Sequence, residues 1–106
     1  MLPLLLFLVT ISGQAQKAEQ ISGVIWEGKK GIPLIGANII LLNENNRMIT
    51  GVTTNIDGEF KMNTIAGLAK KVQFSFIGMQ TVIENYVPGK RYEIILVEEN
   101  SMLKGD

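Results

Sequence analysis

From about Lys17 onward, short apolar runs alternate with polar, glycine-bearing breaks, and the period inside the runs is two. In residues 59–64, Phe60 and Met62 fall on one side and Lys61 and Asn63 on the other. In residues 71–77, Val72, Phe74 and Phe76 oppose Gln73 and Ser75. Successive strand side chains point to opposite faces, so these runs read as half-buried strands. The run at 21–26 is rich in β-branched and aromatic residues, 37–42 is nearly continuously apolar, and these two with 48–54, 79–86 and 92–98 also read as strands. The breaks carry turn chemistry. Residues 27–31 form a polar turn, and Pro33 and Gly36 bracket a loop, Pro33 lacking the amide that a central strand would donate. Residues 43–47 make a polar tip in which Asn45 and Asn46 tolerate left-handed backbone. At 55–58, Asp57 is expected to supply a side-chain acceptor and Gly58 a positive φ, closing a hairpin. Gly78 is expected to end a buried strand where a side chain would clash or strain the turn. Pro88 and Gly89 suit the two central positions of a type II turn. Only 65–70 has room for a helical turn. Short strands at roughly 8–12-residue spacing predict an all-β, seven-stranded antiparallel β-sandwich. No segment has the length and period of a crossover helix, which argues against a parallel α/β sheet.

The first residues differ from the rest. Residues 1–11 are almost wholly apolar, from Leu2 through Phe7 to Ile11. A helix needs roughly 20 such residues to span a bilayer, whereas this run has the length of a signal-peptide core. Gly13 and Ala15 around Gln14 make a small-x-small pattern, so cleavage is expected after Ala15. The chain is therefore divided into a signal peptide at 1–15, a linker at 16–20, a β-sandwich at 21–98 and a tail at 99–106. The tail lacks apolar periodicity and is expected to fray. Export follows from this reading, with no membrane span in the mature chain.

Ten basic and ten acidic residues give a formal net charge of zero, scattered singly or in pairs such as Lys70 with Lys71 and Glu98 with Glu99. Phosphate binding needs a basic face, so nucleic acid is not expected as a partner. The chain has no cysteine, so its stability must rest on the apolar core, and a lipoprotein anchor is not expected.

With no histidine or cysteine, a nucleophilic triad lacks its imidazole and a zinc site its usual ligands. Ser22 and Ser75 read as outward-facing strand residues. Asp57 and Glu59 flank Gly58 at a turn, and acid–base catalysis by this pair is not expected. Set against a calcium-binding EF-hand, residues 53–64 place Thr53, Asn55, Asp57 and Gly58 at the first, third, fifth and sixth positions. Thr64 then stands where a bidentate Glu is required. A turn is the better reading. Trp26, Tyr86 and Tyr92 could build an aromatic platform, although isolated strand aromatics are more often packing. No catalytic, metal or cofactor residue is expected.

Several pieces in order resemble a known family. They are Ile21-Ser22-Gly23-Val24-Ile25; Gly31-Ile32-Pro33-Leu34-Ile35-Gly36-Ala37-Asn38-Ile39; residues 51–60 ending Asp57-Gly58-Glu59-Phe60; residues 72–79 with Gly78; and Ile94-Ile95-Leu96. Their order and spacing resemble the carboxypeptidase-regulatory-like (transthyretin-like) domain, found at the N-terminus of SusC/RagA-type TonB-dependent outer-membrane receptors of Bacteroidetes-like bacteria. The resemblance implies a Greek-key sandwich in which Gly23, Pro33, Gly36, Asp57, Gly58, Phe60 and Gly78 are architectural. It implies a non-catalytic accessory module in the periplasm or at the outer membrane. Its partners would be envelope proteins, including a receptor plug and barrel or the coupling machinery. The coupling box that follows this domain in the receptors is not seen in residues 101–106, and Met79 stands where the family usually has an aromatic. A free-standing module, a truncated product or a piece of a longer receptor all fit. A stand-alone carbohydrate-binding or adhesion-type sandwich is the alternative. The hydrolase relatives of this fold use histidines that this chain lacks.

Overall fold

The computed structural model describes residues 17–28 and 30–99. The expected signal segment and nearly all of the expected tail lie outside these residues. The described chain forms β1 (Ala18–Glu27), β2 (Asn38–Leu42), β3 (Met48–Thr53), β4 (Glu59–Ile65), β5 (Lys71–Ser75), β6 (Val82–Asn85) and β7 (Arg91–Leu96). One sheet has the order β4-β1-β7 and the other β3-β2-β5-β6. This is the all-β sandwich expected from the period-two pattern. In 65–70, the one place with room for a helical turn, Ile65 ends β4 and residues 66–68 form a turn that leads to β5.

One strand pair departs from the antiparallel expectation. β1 and β7 run parallel, with Gly23 opposite Tyr92 and Ile25 opposite Ile94, while β1 with β4 and every pair in the other sheet are antiparallel. The reason is topological. β7 is reached from β6 in the opposite sheet, so no hairpin turn ties its direction to that of β1.

The core is where the two inner faces meet. Ile21, Ile25, Ile39, Leu41, Val72, Phe74, Tyr92 and Leu96 are essentially inaccessible. Burying one such side chain contributes about 1.5–3 kcal/mol relative to exposure. The rings of Phe60 and Phe74 meet edge to face at 6.1 Å, and Phe74 lies 5.6 Å from Tyr92. Aromatic side chains from β4, β5 and β7 thus join the two sheets at the centre of the core.

Three expected strands are shorter than the pattern suggested: 71–77 stops at Ser75, 79–86 yields only Val82–Asn85, and 92–98 stops at Leu96. Residues 79–80 do not continue β6. Met79 instead bridges Glu98, Gln80 N–H donates to Val97 O at 2.8 Å, and Glu99 N–H donates to Gly78 O at 3.0 Å. Residues 78–80 therefore bond to the segment that follows β7. The turn at 87–90 forms as expected, with Lys90 N–H donating to Val87 O at 3.1 Å and Gly89 at φ 76°.

Candidate functional site

Most of the motif residues converge where β1 ends. Strand β4 pairs with β1 only as far as Glu59 opposite Val24. Beyond that point the loop takes over. Ile25 N–H donates to Gly58 O at 2.8 Å, Leu34 N–H to Ile25 O at 2.9 Å, and Glu27 N–H to Ile32 O at 2.8 Å. Pro33 faces Trp26 in an isolated bridge, at a place in this ladder that needs no amide from it. Gly58 has φ +74°, and a Cβ there would lie 2.7 Å from Ile25 O and 3.0 Å from Pro33 Cβ. Both its backbone conformation and its contacts exclude a side chain.

Thr54 binds this loop to the opposite sheet. It is the one buried polar side chain among the described residues, at 5% exposure. Its hydroxyl donates to Leu34 O at 2.6 Å and accepts from Ala37 N–H at 2.9 Å. Its amide donates to Ala37 O, and its carbonyl accepts from Gly36 N–H at 3.1 Å. Sequence reasoning placed Thr54 at a strand end and missed this role, because a threonine in a β-like run looks like any other strand residue.

The turn at 55–58 forms, but its chemistry differs from the expectation in two ways. The side-chain acceptor is Asn55, not Asp57: Asn55 Oδ1 accepts from Asp57 N–H and Glu59 N–H, both at 2.9 Å. The turn also joins β3 to β4, which lie in different sheets, so it is an inter-sheet corner and not a hairpin. An identical bond pattern recurs at 43–47. There Asn43 Oδ1 accepts from Asn45 N–H and Arg47 N–H, and Asn46 takes φ 60° as expected. An acceptor two residues before the amide it caps is favoured, because Asn mimics a backbone carbonyl there.

Gly23 and Phe60 are opposite one another on β1 and β4. A Cβ on Gly23 would overlap the Tyr92 carbonyl oxygen and lie 2.8 Å from Phe60 Cε1. Gly78 stands apart from this group. A Cβ there would meet nothing within 4 Å, so the expected clash is absent, and φ +80° in the turn closed by Met79 N–H to Phe76 O accounts for the glycine.

The three aromatics do not form a platform. Tyr92 is fully buried, and its hydroxyl donates to Asn85 O at 2.7 Å and accepts from Val87 N–H at 3.0 Å. Tyr86 is half-buried and donates to Glu19 Oε1 at 2.8 Å, at the start of β1. Trp26 lies near the other end of β1, seven residues and about 23 Å further on at strand rise, beneath the Lys30 ammonium at 5.3 Å. Lys30 also reaches Glu93 at 3.5 Å. Burial, followed by the Glu19 hydrogen bond and charge, pushes the Tyr86 phenol up to about 12. Burial likewise raises Tyr92, against a lowering by its bond from Val87.

No cluster of three or more His, Cys, Asp or Glu side chains capable of holding a metal ion occurs among the described residues. Among the described residues, shallow clefts of about 380, 440, 420 and 410 Å³ differ too little in size to single out a ligand site. Asp57 and Glu59 are exposed at the corner. What the fold does present is backbone: β4 and β7 edge one sheet, and β3 and β6 edge the other.

The fold is shared with proteins of varied activity. It is similar to the Bacillus anthracis TIE protein (TM-score 0.56, 12% identity, 76% of this chain and 17% of that chain). It is similar to 3-chlorocatechol 1,2-dioxygenase of Rhodococcus opacus (TM-score 0.56, 10% identity, 83% of this chain and 62% of that chain). It is also similar to the C-terminal domain of the shaft pilin SpaA of Lactobacillus rhamnosus GG (TM-score 0.55, 12% identity, 79% of this chain and 100% of that chain). The chain thus spans less than two thirds of the first two, and at these identities the likeness concerns the fold alone. No curated protein matches the sequence. Residues 21–104 match the model of the CarboxypepD_reg-like domain, and with that match over most of its length the chain belongs to the CarboxypepD_reg-like family.

Proposed function

We propose that this chain is an interaction module of a bacterial envelope, the N-terminal extension of a TonB-dependent nutrient receptor, either free-standing or part of a longer chain. The family match over residues 21–104 carries the reading, and the CarboxypepD_reg-like domain is a non-catalytic domain type. Two further observations support it. The apolar run at 1–11 followed by Gly13 and Ala15 suits export to the periplasm or outer membrane. Open sheet edges offer a neighbouring domain main-chain hydrogen bonds by strand addition. No helix among the described residues is long and apolar enough to cross a membrane. A carbohydrate-binding role finds less support, since Tyr92 is buried and Trp26 and Tyr86 lie far apart.

The test is cell fractionation with affinity capture from envelope extracts, paired with sequencing of the DNA downstream of the Asp106 codon. Recovery of an identified TonB-dependent receptor, or an in-frame plug and barrel, is expected. A cytoplasmic product that recovers no envelope protein would end the proposal.

A further inference from the structure

Size does not distinguish the cleft where β1 and β7 end, but its surroundings do. Glu27 is opposite Leu96 in the β1–β7 register, and Gly28 N–H donates to Leu96 O at 2.8 Å. On one side of this pair Glu27 N–H donates to Ile32 O, and on the other Met79 bridges Glu98. Ile32 and Met79 thus bound the cleft at its two ends, three strand spacings or about 14 Å apart. The floor is apolar and the rim acidic. Leu96 is inaccessible, Met79 is half-buried and Ile32 is 43% exposed, while Glu27 and Glu98 are exposed at the edge. The ion pairs among the described residues join Lys30 and Arg91 to Glu93 and Lys90 to Glu84, and none takes Glu27 or Glu98.

The chain brings a complementary segment to this place. Glu99 N–H donates to Gly78 O at 3.0 Å, so residue 99 stands beside Met79 at the mouth of the cleft. The family match continues past Glu99 to residue 104, which makes 100–104 part of the domain's own pattern. Asn100 and Ser101 are turn formers, Met102 and Leu103 an apolar pair, and Lys104 a cation. Three residues extend about 10 Å and five about 17 Å. A turn at 100–101 can therefore return Met102 over Met79 and Leu96 and carry Lys104 to the far rim.

We propose that residues 100–104 fold back into this cleft and cap the end of the sandwich. Met102 and Leu103 pack against Ile32, Met79 and Leu96, and Lys104 meets Glu27 and Glu98. Charge and reach select this occupant. The cleft suits an apolar segment that carries a basic residue, and the chain's own is tethered at the mouth, at an effective concentration on the order of millimolar. The docking holds alike for a free-standing domain and for one that continues into a receptor.

The experiment is nuclear magnetic resonance on the purified, isotopically labelled chain, reading amide hydrogen exchange and methyl NOEs. The amides of 102–104 are expected to exchange about tenfold more slowly than in a free peptide of residues 98–106. Methyl groups of Met102 or Leu103 should show NOEs to Ile32 or Met79. Ile32→Asp, at a position whose bond to Glu27 uses backbone alone, should return the exchange to the peptide rate. Lys104→Glu should speed it about threefold. Peptide-like exchange at 102–104 in the unaltered chain overturns the proposal. So does protection without NOEs to the cleft, or protection that Ile32→Asp or Lys104→Glu leaves unchanged. Protection that grows with protein concentration also overturns it, since a second copy would then fill the cleft. The NOEs of the unaltered chain decide the matter even if Ile32→Asp does not fold.

Discussion

The hydroxyl of Thr54 donates to the carbonyl of Leu34 at 2.6 Å while accepting from Ala37 N–H, so one side chain on the β3 end fixes the loop that leads into β2. Thr54→Val keeps the shape and removes both bonds, leaving a buried amide and carbonyl unpaired. That should cost about 2 kcal/mol, read from the urea midpoint. Thr54→Ser, which keeps the hydroxyl, should lose less than half as much.

The Asn55 corner predicts an asymmetry that inspection of the Asp-Gly dipeptide would reverse. Asn55→Ala removes the acceptor for two backbone amides and should destabilise by about 1 kcal/mol. Asp57→Ala, on an exposed side chain, should stay within about 0.5 kcal/mol. Equal losses in thermal melts of the two variants would contradict the bond assignment.

Glycine substitutions should rank by what a Cβ meets. Gly23→Ala drives a methyl into the Tyr92 carbonyl and the Phe60 ring, where β7 backbone must shift, and should cost about 3 kcal/mol or prevent folding. Gly78→Ala meets open space and bears only the positive φ, a cost of about 1 kcal/mol. Chemical denaturation of both variants checks the order.

Alkaline stability should depend on Tyr86. Its phenol is raised from 10.0 to about 12, first by burial and then by Glu19. Between these values the unfolded chain has lost the proton that the folded chain keeps. The unfolded state therefore binds fewer protons, and stability falls as pH rises through this window. Tyr86→Phe should flatten the fall measured between pH 10 and 12. Glu19→Gln, which removes the carboxylate that accepts the bond and repels the phenolate, should flatten it partly.

Much of the fold was legible because its signal is local. Alternation at Phe60 and Met62, or at Val72 and Phe74, follows from the two-residue period of a strand and needs no knowledge of the partner. Gly58 and Gly89 were legible because a turn demands positive φ at one position. The aromatic platform failed as a reading because the same residue type serves surface and core, and only burial tells them apart, as at Tyr92.

The sequence by itself determined the class of fold, the places where the chain turns, and the absence of imidazole and thiol chemistry, each a matter of residue type and spacing. Tertiary structure alone decided which strands became neighbours: that β7 runs parallel to β1, that 55–58 is a corner between sheets, and that Thr54 meets Leu34. These are relations between residues far apart in the chain. Their energies come from packing and hydrogen bonds that no local pattern encodes, so they exist only once the two sheets have closed on one another.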